Sequence, residues 1–200
     1  MRAVDTPMVR PPGRPRSAQA HAAILDAALH LLIDRGYAGT SIEAVAAAAG
    51  VSKATIYRRW ASKEELTFDV IAEIAREWAV ADTGDPRADA TTMLMQMGRL
   101  LRTSRAGRLL PRLLSEAKGN PELTERWRKC IVEPRRASFR ELLERGIAAG
   151  QLGADLDLQA TVDLLIGPVL YRHIVTGSPT DDPSFLATIV SAVWDGLAPR

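Results

Sequence analysis

"GVSKATIYRRWASKEEL", residues 50–66, decides how this chain is read. Gly50 ends one helical pattern, and Ser52 is placed to cap a short helix after it. Ser62-Lys63-Glu64-Glu65 is a capping box that opens another helix. The short helix between them leaves only Val51, Ile56 and the following Trp60 to pack inward, while Lys53, Thr55, Tyr57, Arg58 and Arg59 face out. Such a segment adds little to a core, but its side chains suit a nucleic-acid duplex. Arg pairs bidentately with guanine, Thr touches a thymine methyl or a base edge, and Lys and Tyr bind phosphate.

The residues upstream supply the rest of the unit. Ile24, Leu25, Ala28, Leu31 and Leu32 form one apolar stripe on a helix from about Ser17 to Arg35, which Gly36 stops. Thr40-Ser41-Ile42-Glu43 reads as a capping box with Thr40 as the cap, opening a short Ala-rich helix with Ile42, Val45 and Ala49 inward. Only about one turn separates this helix from the next, and a helix–Gly–helix corner of that size is the signature of a helix-turn-helix. Helix starts at Thr40/Ser41 and Ser62/Lys63 offer free backbone N–H groups to phosphates. A charge run alone reads as a solvated basic face, but here caps, corner and side-chain types agree.

Residues 17–66 resemble the DNA-binding domain of the TetR family of bacterial regulators, and "AVAAAAGVSKATIYRRWASKEEL" matches its helix-turn-helix almost position by position. Three positions depart: Ala54 replaces a common glycine, Trp60 a common phenylalanine and Ala61 a common proline. The resemblance implies Thr40, Ser52, Lys53, Thr55, Tyr57, Arg58, Arg59 and Lys63 as DNA contacts. Thr55 and Arg58 are assigned to bases, Thr40, Tyr57 and Lys63 to phosphates, and Lys53 and Arg59 to either. A second stretch, "LLSEAKGNPELTERWRKCIVEPRRASFRELLERGIAAGQLGADLDLQATVDLLIGPVLYRHIVTGSP", is similar to one subgroup of TetR-like C-terminal domains.

Charge follows the same division. Residues 1–63 carry nine Lys/Arg against four acids, leaving 17 of the chain's 26 basic and 20 of its 24 acidic residues to the rest. A basic front and a mildly acidic rear suggest that the front meets a polyanion, although a solvated tail has the same count. With 46% hydrophobic and 25% charged residues, the composition is that of a globular protein. No apolar run approaches the ~20 residues of a membrane span, and the start lacks a secretory h-region. Cys130 is alone, which fits a cytosolic setting and reads first as a small, half-buried side chain.

The expected fold is all-α with about nine helices. It comprises a basic arm (1–16, read as disordered), a helix-turn-helix domain (17–63) and a larger helical domain for effector binding and dimerisation (64–200). Asn120-Pro121 reads as an N-cap with proline at the first helical position, opening a helix to about Gly150 with a kink at Pro134. The last two helices, about 157–176 and 183–197, are apolar over most of their circumference and must be covered on two sides. One cover is the chain's own core and the other a two-fold mate, with Leu165, Ile166, Val169, Ile174, Phe185, Ile189 and Val193 as interface candidates. A homodimer implies a palindromic double-stranded DNA operator. The resemblance also implies a small apolar or amphipathic effector among the middle helices, with Met93, Met97, Leu113, Leu114, Trp127, Phe139 and Tyr171 as candidate lining. Each of these, taken singly, reads first as plain core, and His173 as a core or interface histidine.

The chain is thus expected to be a cytoplasmic transcription regulator, a repressor released by its effector, or else a regulator controlled by a protein partner or by abundance. It is not expected to be an enzyme, to bind a metal or to need a cofactor. His21, His30 and His173 lack metal-site spacing, and no phosphate-binding glycine loop or nucleophile motif is present. "GRPR" at 13–16 is an extended cationic segment suited to a narrow A·T minor groove, or a tail of non-specific charge. On the minor-groove reading, replacing Arg14 and Arg16 together by Ala weakens binding to a duplex selected from random DNA and makes the salt slope shallower by up to about two. Anisotropy titrations at several salt concentrations check this, and unchanged affinity and slope would remove the arm from the interface.

Overall fold

A computed structural model describes residues 16–75, 81–117 and 119–199. The segments are α1 (Arg16–Arg35), α2 (Ile42–Ala49), α3 (Lys53–Tyr57), α4 (Lys63–Ala75), α5 (Pro86–Thr103), α6 (Arg105–Ala117), α7 (Pro121–Trp127), α8 (Glu133–Ala148), α9 (Leu158–Tyr171) and α10 (Pro183–Gly196). A π-turn at Arg128–Val132 joins α7 to α8, and another at Arg172–Thr176 extends α9. Counted through these turns, the described residues form nine helices and no strand, the all-α fold expected. The helix opened by the Ser62 capping box, expected to run to about Val80, is described as far as Ala75.

Two apolar clusters organise the helices. The whole expected stripe of α1 is buried, and it packs with Ile42 and Val45 of α2, Ile56 of α3, and Leu66, Val70, Ile71 and Ile74 of α4. Leu109 of α6, Leu123 of α7 and Ile131 of the first π-turn enter the same cluster. The expected division after Lys63 therefore falls at the start of a helix whose inner face belongs to the first cluster. The second cluster joins Met93, Leu94 and Met97 of α5 to Phe139, Leu142 and Leu143 of α8, with the inner faces of α9 and α10 closing it. Trp127 packs against both.

Three local readings are corrected. Ser41, not Thr40, caps α2: its hydroxyl accepts from Ala44 N at 3.2 Å. Thr40 is instead buried, and its hydroxyl donates to Gly36 O at 2.7 Å, sealing the end of α1. The kink expected at Pro134 is a π-turn just before it. Pro134 has no N–H for the carbonyl of Cys130 and its ring would crowd that carbonyl, and the wider turn relieves both problems, with Glu133 N bonding Arg128 O. Finally, Val162, Leu165 and Val169 are the inner row of α9, whereas Leu164, Tyr171 and Val175 form an exposed row at i, i+7, i+11.

Two corners require glycine, one by close approach and one by conformation. A side chain at Gly98 would place its Cβ 2.2 Å from Thr180 O, where the α9–α10 connection lies on α5 and Thr180 Oγ1 donates to Gly98 O at 2.7 Å. Gly50 has φ 65° and ψ 33°, the left-handed conformation that ends α2, with its N–H directed to Ala46 O and Ala47 O and Val51 N bonding Ala46 O at 3.0 Å. A Cβ at Gly50 meets open space, so the cost of Gly50→Ala is conformational alone, about 1–2 kcal/mol. Urea unfolding should show a lower midpoint with an unchanged slope.

Candidate nucleic-acid interface

α3 is held from one side only. Ser52 caps it, accepting from Thr55 N at 3.2 Å, and its hydroxyl lies 3.0 Å from Thr55 Oγ1. Ile56 is fully buried, and Trp60, one turn on, is buried beside it. The Trp60 indole N–H donates to Asp69 Oδ2 at 2.7 Å, and its ring stacks on His21 with centroids 5.2 Å apart. This inner row fixes the outer one. Lys53 and Tyr57 lie one turn apart in the open, as do Ala54 and Arg58, while Thr55 and Arg59 are half-buried at the edges. Tyr57 is 51% exposed.

Of the residues expected at a DNA surface, Ser52, Lys53, Tyr57 and Arg58 are exposed, and Thr55 and Arg59 are half-buried. Arg14 lies outside the described residues, as does the side chain of Arg16. Thr40 is only 3% exposed, with its backbone N–H bonded to Tyr37 O, so the exposed hydroxyl at the start of α2 is that of Ser41. Lys63 is occupied in the free chain. Its ammonium donates to Tyr37 O at 2.8 Å and lies 4.0 Å from the centroid of the Tyr37 ring.

Tyr37 is a junction that sequence reading missed. Its hydroxyl donates to Glu64 in the first turn of α4 and also hydrogen-bonds Asn120, the N-cap of α7. Burial, and then the Glu64 carboxylate, push the Tyr37 hydroxyl above its ordinary pKa; the same hydroxyl holds Glu64 below the usual carboxylate range. A second link runs through α6, where Arg105 pairs with Asp26 of α1. Pro111 has no N–H for Gly107 O, and His173 of the second π-turn takes that carbonyl, with Nε2 at 2.8 Å. No local sequence signal brings these partners together, since Tyr37 and Asn120 stand far apart in the chain, as do Gly107 and His173.

Comparison with known proteins agrees with this geometry. Residues 24–70 match the model for bacterial regulatory proteins of the tetR family, and residues 80–193 match that for the tetracyclin repressor-like C-terminal domain. The chain belongs to the TetR family of bacterial transcription regulators. The "uncharacterized HTH-type transcriptional regulator YdeS" of Bacillus subtilis is 36% identical over 92% of this chain and 93% of its own. A "DNA-binding transcriptional repressor TetR" of Mycobacteroides abscessus is 33% identical over 89% of this chain and 93% of its own. The crystal structure of the TetR family regulator SCO0332, 33% identical, superimposes with a TM-score of 0.67 over 90% of this chain and 100% of that one. The chain is a DNA-binding transcription regulator and not an enzyme. No helix among the described residues is long and apolar enough to cross a membrane.

The structure sorts the remaining TetR-type expectations. Met93, Met97 and Phe139 are fully enclosed in the second cluster, and half-buried Trp127 bridges to the first. Leu114 and Tyr171, expected as effector lining, are 44% and 57% exposed, and the Leu113 side chain lies outside the described residues. Hollows of about 460 Å³, edged by Asp82, Glu141, Glu144 and Arg145, and of about 360 Å³, between α1 and α2, take no side chain from the expected lining. Of the interface candidates, Leu165, Val169, Ile189 and Val193 are buried in the chain's own core, Ile166 and Phe185 are half-buried, and Ile174 is exposed. Core burial claims the first four because α9, which carries Leu165 and Val169, packs on α5 and α8, and α10, which carries Ile189 and Val193, packs on α5 and α9. Lys63→Met removes a charged hydrogen bond and a cation–π contact, so the head should lose about 1–2 kcal/mol of stability, read by urea unfolding without DNA.

Proposed function

We propose that this TetR-family regulator is a homodimeric, cytoplasmic repressor that reads a palindromic operator with two copies of α3 and is released by a small apolar or amphipathic effector. The outward row of α3 carries the reading: Thr55 and Arg58 are offered to base edges, and Tyr57 to a phosphate. Among the described residues Arg58 has no acidic partner, so its guanidinium is free to form the bidentate pair with guanine. Dimerisation uses the outer row of α9, Leu164, Tyr171 and Val175 with Ile174 beside it. The neighbouring outer residues of α10, Ser184, Ala187, Thr188 and Ala192, are small enough to let a mate approach.

Release requires that effector bind the two head spacings with different affinity. The head shares its core with α4, α6 and α7 and is tied to them through Tyr37 and Arg105. A displacement of those helices therefore carries α3 with it. The second reading, control by a protein partner or by abundance, is favoured by the complete enclosure of Met93 and Phe139. Selection of duplexes from a random pool by the purified full chain, followed by light scattering of the complex, tests the reading. A two-fold symmetric site bound by two protomers is expected, and Arg58→Ala should relax preference at one base pair per half-site by about 1–3 kcal/mol. A panel of apolar and amphipathic compounds should contain members that lower affinity for that site. Enrichment of a site whose affinity no compound changes would favour the second reading, and no enrichment would overturn the DNA-reading assignment of α3.

A further inference from the structure

The outward cations of the head are not equally available. Lys53, the first residue of α3, donates from Nζ to Glu43 Oε1 of α2 at 3.0 Å, and both side chains are more than half exposed. Glu43 is the second residue of α2, directly after the Ser41 cap and Ile42. Its carboxylate accepts from its own backbone N–H at the positive end of that helix, which, with Lys53, holds it below the usual carboxylate range. It therefore remains anionic wherever DNA binding is measured. Two features that would draw any phosphate, the start of α2 and the Lys53 ammonium, are thus answered within the chain. A carboxylate on this surface also repels the backbone of a duplex.

We propose that Glu43 is a specificity-determining residue, an internal competitor that withholds Lys53 from phosphates and yields it only to an acceptor on a cognate base edge. The physical argument is one of exchange. A phosphate oxygen offers Lys53 the same kind of exposed ion pair that Glu43 already provides, so random DNA gains little from taking it. A guanine edge in the major groove offers two acceptors, O6 and N7, in a place where Thr55 and Arg58 already fix the register. Discrimination arises from a repulsive element as well as an attractive one. Arg58 needs no such guard, because its planar fork already prefers a guanine edge, whereas an ammonium is a point charge that any anion satisfies.

The inference rests on α3 being the groove-reading helix. Its test measures binding of the full chain to scrambled duplex and to a duplex enriched from a random pool, each over a series of salt concentrations, for the wild type, Glu43→Gln, Lys53→Met and the double variant. Glu43→Gln should raise affinity for scrambled duplex about three- to tenfold at low salt and steepen its salt slope by about 0.9, one added phosphate contact. Affinity for the enriched duplex should rise less, so the specificity ratio falls. In the Lys53→Met background the change in slope should vanish, which separates release of Lys53 from simple loss of a repelling charge. Equal gains on both duplexes, no gain on either, or a slope change that persists without Lys53 would each overturn the proposal. A wild-type chain that enriches no duplex would overturn the groove assignment along with it, whereas enrichment with an unchanged ratio in Glu43→Gln overturns this inference alone.

Discussion

A helix of five residues has no stability of its own. Fixing its first turn costs more than its few hydrogen bonds return, and in water it would melt. α3 persists because Ile56 and Trp60 are buried in a core that other helices build. Burial of such side chains contributes about 2–3 kcal/mol each, and Trp60 adds a hydrogen bond to Asp69 and a stack on His21. Holding is done by the inner row together with the Ser52 cap. The outer row is therefore free to be chosen for chemistry, which is why Lys53, Tyr57 and Arg58 can stand in the open.

The core that holds α3 does not stop at the helix-turn-helix. Leu66, Val70, Ile71 and Ile74 of α4 belong to it, and Leu109, Leu123 and Ile131 of the body close it. Interiors packed at this density transmit displacement and do not absorb it. The polar ties repeat the pattern at the surface: Tyr37 touches both α4 and α7, and Arg105 on α6 grips α1. His173 completes the series by linking the end of α9 to α6 through a carbonyl that Pro111 leaves open. The segment that holds α3 and the exposed row of α9 are thus joined by contacts, not by a loose linker.

Net charge alone misstates the head. Nine basic residues stand against four acids in residues 1–63, yet Lys53 is paired with Glu43 and Lys63 rests on Tyr37. The electrostatic footprint offered to a duplex is smaller and more localised than the count suggests. Among the described residues, Arg58 is an exposed cation of α3 with no acidic partner.

Most of the architecture was legible in the sequence because it is written in local signals. The stripe of α1, the glycine stop at Gly50, the Ser52 and Asn120 caps and the apolar inner faces of the last two helices depend on neighbours within a few residues. The outward face of α3 followed from the same periodicity, and so did the helix-turn-helix that marks the family. Where local signals competed, the reading slipped. Two adjacent hydroxyl residues could cap α2, and burial of Thr40 against Gly36 O gave the role to Ser41. Both faces of α9 are apolar, so only packing against α5 and α8 could show that Leu165 and Val169 turn inward and Leu164 and Tyr171 outward. Tertiary structure alone decided the contacts between distant segments: Tyr37 with Glu64 and Asn120, Arg105 with Asp26, Lys53 with Glu43. Period and capping are properties of a few consecutive residues, whereas a pair of charges is made by the path of the whole chain.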